Sequence, residues 1–250
     1  MTAKVKGRQS ACAPFDTEIG VISNLRIKRT VENVFWRSGD REGMAATGAF
    51  AAALGLSGPA ASMAMMSSEE MEEPVVRVEF RLDDLIVKGL LWNWPYKEGE
   101  LVRVVGSRNP DGIFIAFSVL DERKRLIVSY PHVSAGSRAH WISVWKYTSL
   151  ISLPICTFFT VGIGLNSLGI LEDGWLLLKL LLCIFAGLLL IAATVGVSIG
   201  YRFHRFARLA DGIFGSLGWG DSKNVNLRRI TKLRKSPSDP AALGDTYFRY

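Results

Sequence analysis

The segment "YPHVSAGSRAHW" (130–141) holds the densest set of reactive side chains in the sequence. His132 and His140 flank Ser134, Ser137 and Arg138, types that together offer a nucleophile, a general base and an anion-binding cation. Such a set works only when the base is held in one tautomer, commonly by a carboxylate, and the nucleophile stands on a sharp turn. Neither condition is encoded here: the segment has no Asp or Glu, and no glycine elbow surrounds either serine. His132 and His140 are therefore the catalytic candidates, but the segment reads better as a loop leading from a β domain to the membrane, and the chain as a non-enzyme. Cys12, Cys156 and Cys183 share no metal-ligand spacing, so neither a metal site, a cofactor nor a disulfide framework is expected. Trp92, Trp94 and Tyr96 could stack on bases, yet their position after a strand run assigns them to packing on a sheet. His204 reads as an interfacial residue.

The elements around these residues are of two kinds. Residues 147–170 and 174–200 each reach the roughly 20 apolar residues that a bilayer core demands. Leu, Ile, Val and Phe dominate the second, each contributing roughly −0.3 to −0.6 kcal/mol to insertion, which outweighs Lys179 near one end. Together they predict a transmembrane hairpin over 145–200, turning at the acidic "LEDG" (171–174). Arg123, Lys124, Arg125, Arg138 and Lys146 precede it, and Arg202, Arg205 and Arg208 follow it. Basic outer flanks and an acidic turn place both termini in the cytoplasm. Cys156, Thr160 and Gly164 share one face of the first span, and Ala192, Gly196 and Gly200 make small-xxx-small steps in the second. These predict close helix packing, either within the hairpin or in a homo-oligomer. Pro154 predicts a kink.

Before the hairpin, period-two alternation rich in Val and Ile predicts about six short strands across residues 15–135. Val76, Val78, Phe80 and Leu82 share a face, Asp83-Asp84 makes a turn, and "SRNPDG" and "DERK" make two more. The expectation is an α+β membrane protein whose cytoplasmic domain is a small antiparallel barrel or sandwich. Residues 1–14 are polar and basic, lack the apolar core of a secretory signal, and read as disordered. One stretch interrupts the strands: "MAATGAFAAALGLSGPAASMAMM" (44–66) has no charge and few large apolar residues. As a span it would separate the first strand from the rest, so it is expected to be an Ala/Gly/Met-rich helical insert. A conditional membrane-active segment is the competing reading.

Beyond the hairpin, residues 201–250 form a basic segment. Phe203, Phe206, Ala210, Ile213 and Leu217 recur at three- and four-residue steps, predicting an amphipathic helix that folds along the inner leaflet. Arg202, Arg205 and Arg208, followed by Arg228, Arg229, Lys232, Arg234 and Lys235, are expected to face anionic lipid. Nucleic acid is the rival partner for such a cluster, and proximity to the spans disfavours it. The tail "YFRY" reads as aromatic residues docking back on the β domain.

The order of a small β domain, an Ala/Gly/Met insert, "PHVSAGSRAHW", two spans, "RLADGIFGSLGW" and a terminal "YFRY" resembles a bacterial family of candidate type VI secretion system effectors. The resemblance runs from about Ile19 to Tyr250 and rests on segment order and two short motifs. It implies a multi-pass protein of the bacterial inner membrane acting at or in the membrane, with a secretion-system or immunity protein as partner. It supplies no reaction and no catalytic residue. The alternative expectation is a membrane-anchored interaction module, an immunity or accessory protein whose β domain binds a protein partner.

Overall fold

The computed structural model describes residues 15–33, 72–167 and 173–250. The predicted disordered stretch 1–14, the insert 44–66, Cys12 and, in the acidic turn, Leu171 and Glu172 lie outside the described residues. The chain divides into two compact units, a barrel over 19–124 with 128–131, and a helical unit over 125–127 and 132–250 that also takes the start of the first strand.

The barrel is built from β1 (Asp16–Asn33), β2 (Glu72–Leu82), β3 (Leu85–Leu91), β4 (Leu101–Arg108) and β5 (Phe114–Asp121). The predicted turns hold. Asp83, with φ of 51°, lets β2 turn into β3, and Asp121 Oδ1 accepts from the backbone N–H groups of Arg123 at 2.8 Å and Lys124 at 3.0 Å. Neighbours run β3-β2-β1-β4-β5, and β3 also pairs with β5, which closes the sheet on itself. Closure settles the choice between barrel and sandwich, and it corrects the expectation of a wholly antiparallel sheet. Five strands in a ring cannot alternate direction at every junction, so one pair must run parallel; Val87–Gly89 against Phe114–Ala116 is that pair. A closed five-stranded barrel is a scaffold that carries many unrelated functions and assigns none by itself.

Strand β1, at 18 residues, is too long to stay straight in so small a barrel. Its register against β2 shifts between Ser23 and Arg26, where Asn24 takes φ of 51°, a bulge that bends the strand around the barrel. Inward positions follow the alternation read from the sequence: Val76, Val78, Phe80 and Leu82 are all buried. Tyr96 is 3% exposed and donates its hydroxyl to the carbonyl of Val119 at 2.9 Å. Trp94 packs on Phe80 and Tyr96 with ring centroids 5.3 and 5.2 Å apart. Trp94 and Tyr96 thus pack on the sheet, as the sequence suggested.

The helical unit contains α1 (Ser137–Ser167), α2 (Gly174–Ser216), a short 3₁₀ turn (Ser222–Asn224) and α3 (Leu227–Arg234). Helix α1 starts ten residues before the predicted span and continues through Pro154 without a break. Its early start converts "SRAHW" from the expected loop into helix: His140 N–H bonds to the carbonyl of Gly136 at 2.8 Å, and Asp211 Oδ1 accepts from Ser137 N–H at 2.8 Å. Asp173 caps α2, accepting from Trp175 N–H at 3.0 Å, so the acidic turn also serves as a helix N-cap. Both helices are long and apolar enough to cross a membrane, and 11% of the most apolar window of α1 and 0% of that of α2 is buried inside the molecule.

Helix α2 does not end where the predicted span ends. It runs unbroken to Ser216, and Phe206, Ala207, Ala210, Ile213 and Phe214 are buried. The predicted amphipathic stripe is therefore present, but protein covers it, in place of the lipid surface that the sequence suggested. Phe214 stacks on Trp219 at 5.1 Å, and Trp219 in turn meets Tyr250 at 5.2 Å. The tail forms β7 (Phe248–Arg249), pairing with Leu126 and Ile127 at the start of β6 (Leu126–Ser129). Phe248 is fully buried there. "YFRY" docks, as a strand and inside the helical unit.

Candidate functional site

The motif "PHVSAGSRAHW" acts as a strap on which residues 222–227 fold. Leu227 N–H bonds to the carbonyl of Ser134 at 2.9 Å, Gly136 N–H bonds to that of Val225 at 2.9 Å, and Ala135 bridges Asn226. Glycine is required at position 136, since a methyl group there would collide with the carbonyls of Ser222 and Lys223. His132 adopts φ of 64°, a left-handed conformation tolerated by few residues, and its ring lies 5.6 Å from Phe203 and 5.3 Å from Phe206. His140 Nε2 lies 2.9 Å from the carbonyl oxygen of Gly200, a contact that makes this nitrogen a donor.

These elements line an open cleft of about 920 Å³. Helix α1 contributes Ala139, His140, Ile142, Ser143, Lys146 and Tyr147; α2 contributes Phe203 and Ala207. The strap adds His132 and Ser134, and Asn224 to Asn226 with Arg228, Arg229, Ile230 and Lys232 complete the wall. The cleft thus gathers both histidine candidates and four cationic side chains, with no carboxylate among its lining residues. Helix α3 begins at this wall, where Asn226 caps it, Oδ1 accepting from Arg229 N–H at 3.0 Å.

The remaining predicted lipid-surface residues have other surroundings. Arg202 and Arg208 are exposed on α2. Arg205 places its guanidinium 4.8 Å from the ring centroid of Phe206. Arg234 Nη1 donates to the carbonyl of Tyr250 at 2.6 Å, and Lys235 Nζ donates to that of Leu243 at 2.7 Å. Those last two hold the tail.

The predicted packing faces meet within the hairpin. A methyl group at Gly196 would collide with Thr148, and one at Gly200 would lie 2.9 Å from the Trp141 ring. Gly164 faces Leu181, Cys156 is buried, and Thr160 donates to the carbonyl of Cys156 at 2.8 Å. Ala192 is half-buried on the same helix. Among the described residues, no group of His, Cys, Asp and Glu could hold a metal ion. The barrel has a smaller cavity of about 330 Å³ beside Glu100, Asp121 and Lys124; Lys124 already pairs with Glu100 at 2.5 Å.

The sequence missed Phe203, Asn224, Asn226 and Ile230 as site residues. Asn before a helix was a usable capping signal, but the folding of 222–227 onto the strap is a long-range pairing without a local trace. No family model matches the chain, and no curated protein or solved structure is detectably similar to it.

Proposed function

We propose that the chain is a two-span integral membrane protein that holds its β-barrel at the cytoplasmic face of a bacterial inner membrane as an interaction module. The observation that carries this reading is the sleeve of uncovered side chains on α1 and α2. Leu150, Phe158, Leu165 and Leu190 are 63, 76, 65 and 70% exposed. A pair of core helices in a water-soluble protein would bury them, since contiguous apolar surface of this extent is not stable against water. Basic residues flank the hairpin on both outer sides, which favours a cytoplasmic location for barrel and tail. The partner is a protein, and the resemblance noted in the sequence suggests a component of a type VI secretion context, such as an immunity or accessory function.

A cell-membrane fraction washed at alkaline pH should retain the full chain until detergent is added. After solubilisation, an affinity-tagged full chain should bring down a partner that a chain with the barrel's exposed side chains altered does not. Release of the chain by the alkaline wash would sink the reading.

The second reading is an effector that acts on the membrane itself, favoured by the same sleeve and the same resemblance. It expects depolarisation of a sensitive cell on expression. An unchanged membrane potential with the chain inserted argues against it.

A further inference from the structure

Resting on the interaction-module reading, we propose that the open edge of β1 from Arg26 to Glu32 takes up an extended, acidic segment of the partner protein as an added strand. The ring closes along only part of β1. Strand β1 pairs antiparallel with β2, β2 with β3, and β4 with β5, while β3 and β5 run parallel, so β4 runs antiparallel to β1. Ile22 N–H bonds to the carbonyl of Glu100 at 3.0 Å, and Gly99 N–H bonds to that of Ile22 at 2.8 Å. Because β4 begins at Leu101, these bonds mark where its course beside β1 stops. Glu98 turns away there, its side chain accepting from Asn24 N–H at 2.6 Å. Past the bulge β1 continues to Asn33, and among the described residues β2 is the strand that pairs with 26–33. A strand paired along one edge presents backbone donors and acceptors along the other.

The side chains beside that edge define its occupant. They alternate between two faces: Arg26 and Lys28 share one with Glu79 and Arg77, and Ile27, Arg29 and Val31 share the other with Val78, Val76 and Pro74. The ion pairs of this region join Arg77 to Glu32 and Lys88 to Glu79. They leave the exposed Arg26, Lys28 and Arg29 without a carboxylate among the described residues. Ile27 and Val31 are 50 and 53% exposed. A segment of alternating acidic and β-branched residues complements both faces, while backbone bonds supply the register. A second copy of this edge is disfavoured, because it would set the same three cations against one another. A nucleic acid strand is disfavoured too, since the apolar residues here are aliphatic and single-strand binding rests on aromatic stacking.

The test uses the full chain in a non-ionic detergent at about 0.15 M salt, with labelled ten-residue probes followed by fluorescence anisotropy and corrected for binding to detergent alone. The probes are alternating Glu/Val, alternating Lys/Val, a block of Glu followed by a block of Val, and alternating Glu/Val N-methylated at every residue. The first should bind, and each of the others at least about tenfold more weakly. The N-methylated probe keeps its charge and loses every backbone donor, so equal binding of it would reduce the effect to charge and overturn strand addition. The variant Arg26→Glu/Lys28→Glu/Arg29→Glu should reverse the preference towards Lys/Val; an unchanged preference overturns the edge assignment. Should that variant misfold, the comparison of probes on the wild-type chain decides. Self-association dispersed by the Glu/Val probe would give the edge to a second copy, and an oligouridylate that outcompetes the probe would give it to nucleic acid; either overturns the proposal. Binding of no probe defeats the edge and leaves the interaction-module reading to the pull-down above. A partner that the reversal variant still retains in that pull-down keeps the module reading and overturns the edge.

Discussion

At the scale of single residues, the clearest electrostatic arrangement lies at the tail and not at the histidines. Arg249 meets Asp239 through two bonds, Nη2 to Oδ1 at 3.1 Å and Nη1 to Oδ2 at 3.2 Å, and Thr231 Oγ1 accepts from Arg249 N–H at 2.9 Å. The backbone N–H of Ser236, donating to Asp239 at 2.7 Å, is the chief reason that its carboxyl titrates below the usual carboxylate range, with Arg249 adding to the effect. Burial pushes the Tyr247 hydroxyl in the opposite direction, up. A carboxylate whose folded pKa is depressed adds stability above its unfolded value, and that stability is lost as pH falls through the folded one. Protection of the C-terminal amides against hydrogen exchange, taken relative to the intrinsic rate at each pH, should therefore be high at neutral pH and fall below about pH 4. Asp239→Asn should show low protection at every pH; protection equal to the parent's in that variant would remove Asp239 from this arrangement.

At the scale of elements, the hairpin offers an internal comparison between glycines of one helix. Gly196 meets Thr148, whereas nothing lies within 4 Å of a methyl group placed on Gly187. Gly196→Leu should destabilise the detergent-solubilised protein by about 1–3 kcal/mol, and Gly187→Leu should leave its thermal midpoint near that of the parent. Similar midpoints for the two would mean that α1 and α2 do not pack through this face. The elements most legible in the sequence were those with a strong period: the alternation of β2, the Asp83 and "DERK" turns, and the two long apolar runs. What escaped was non-local. The β3–β5 pairing that closes the ring, and the parity of five strands that obliges one junction to run parallel, leave no mark in either strand. The stripe from Phe206 to Ile213 was legible as a stripe, but apolar periodicity is the same whether lipid or protein covers it. His132 and His140 were legible as candidates, while the cleft they share with α3 depends on backbone bonds from Ser134 and Gly136 to a segment about 90 residues away.

At the scale of the whole molecule, the uncovered apolar sleeve of α1 and α2 sets the expected behaviour. Under the reading proposed above, protease added to sealed right-side-out spheroplasts should reach only the short turn between α1 and α2. Opening the membrane should expose both the barrel and the residues after Gly200. Cleavage of the tail in intact spheroplasts would contradict the shared cytoplasmic side. The charge of +7 fits that side and is unevenly placed, because part of it lines a cleft and part of it fastens the tail.

Helix α2 is a single rod of 43 residues, about 64 Å from end to end. Its apolar first part passes without a hinge into a second part, from Tyr201 to Ser216, that carries the Phe206–Phe214 face at the centre of the helical unit. Rotating the first part by about ten degrees, as a thinner or thicker bilayer would do, sweeps the far end sideways by about 4 Å over its last 24 Å. On the two-span reading proposed above, such a rod would act as a lever, coupling the thickness of the surrounding lipid to the residues that follow Tyr201.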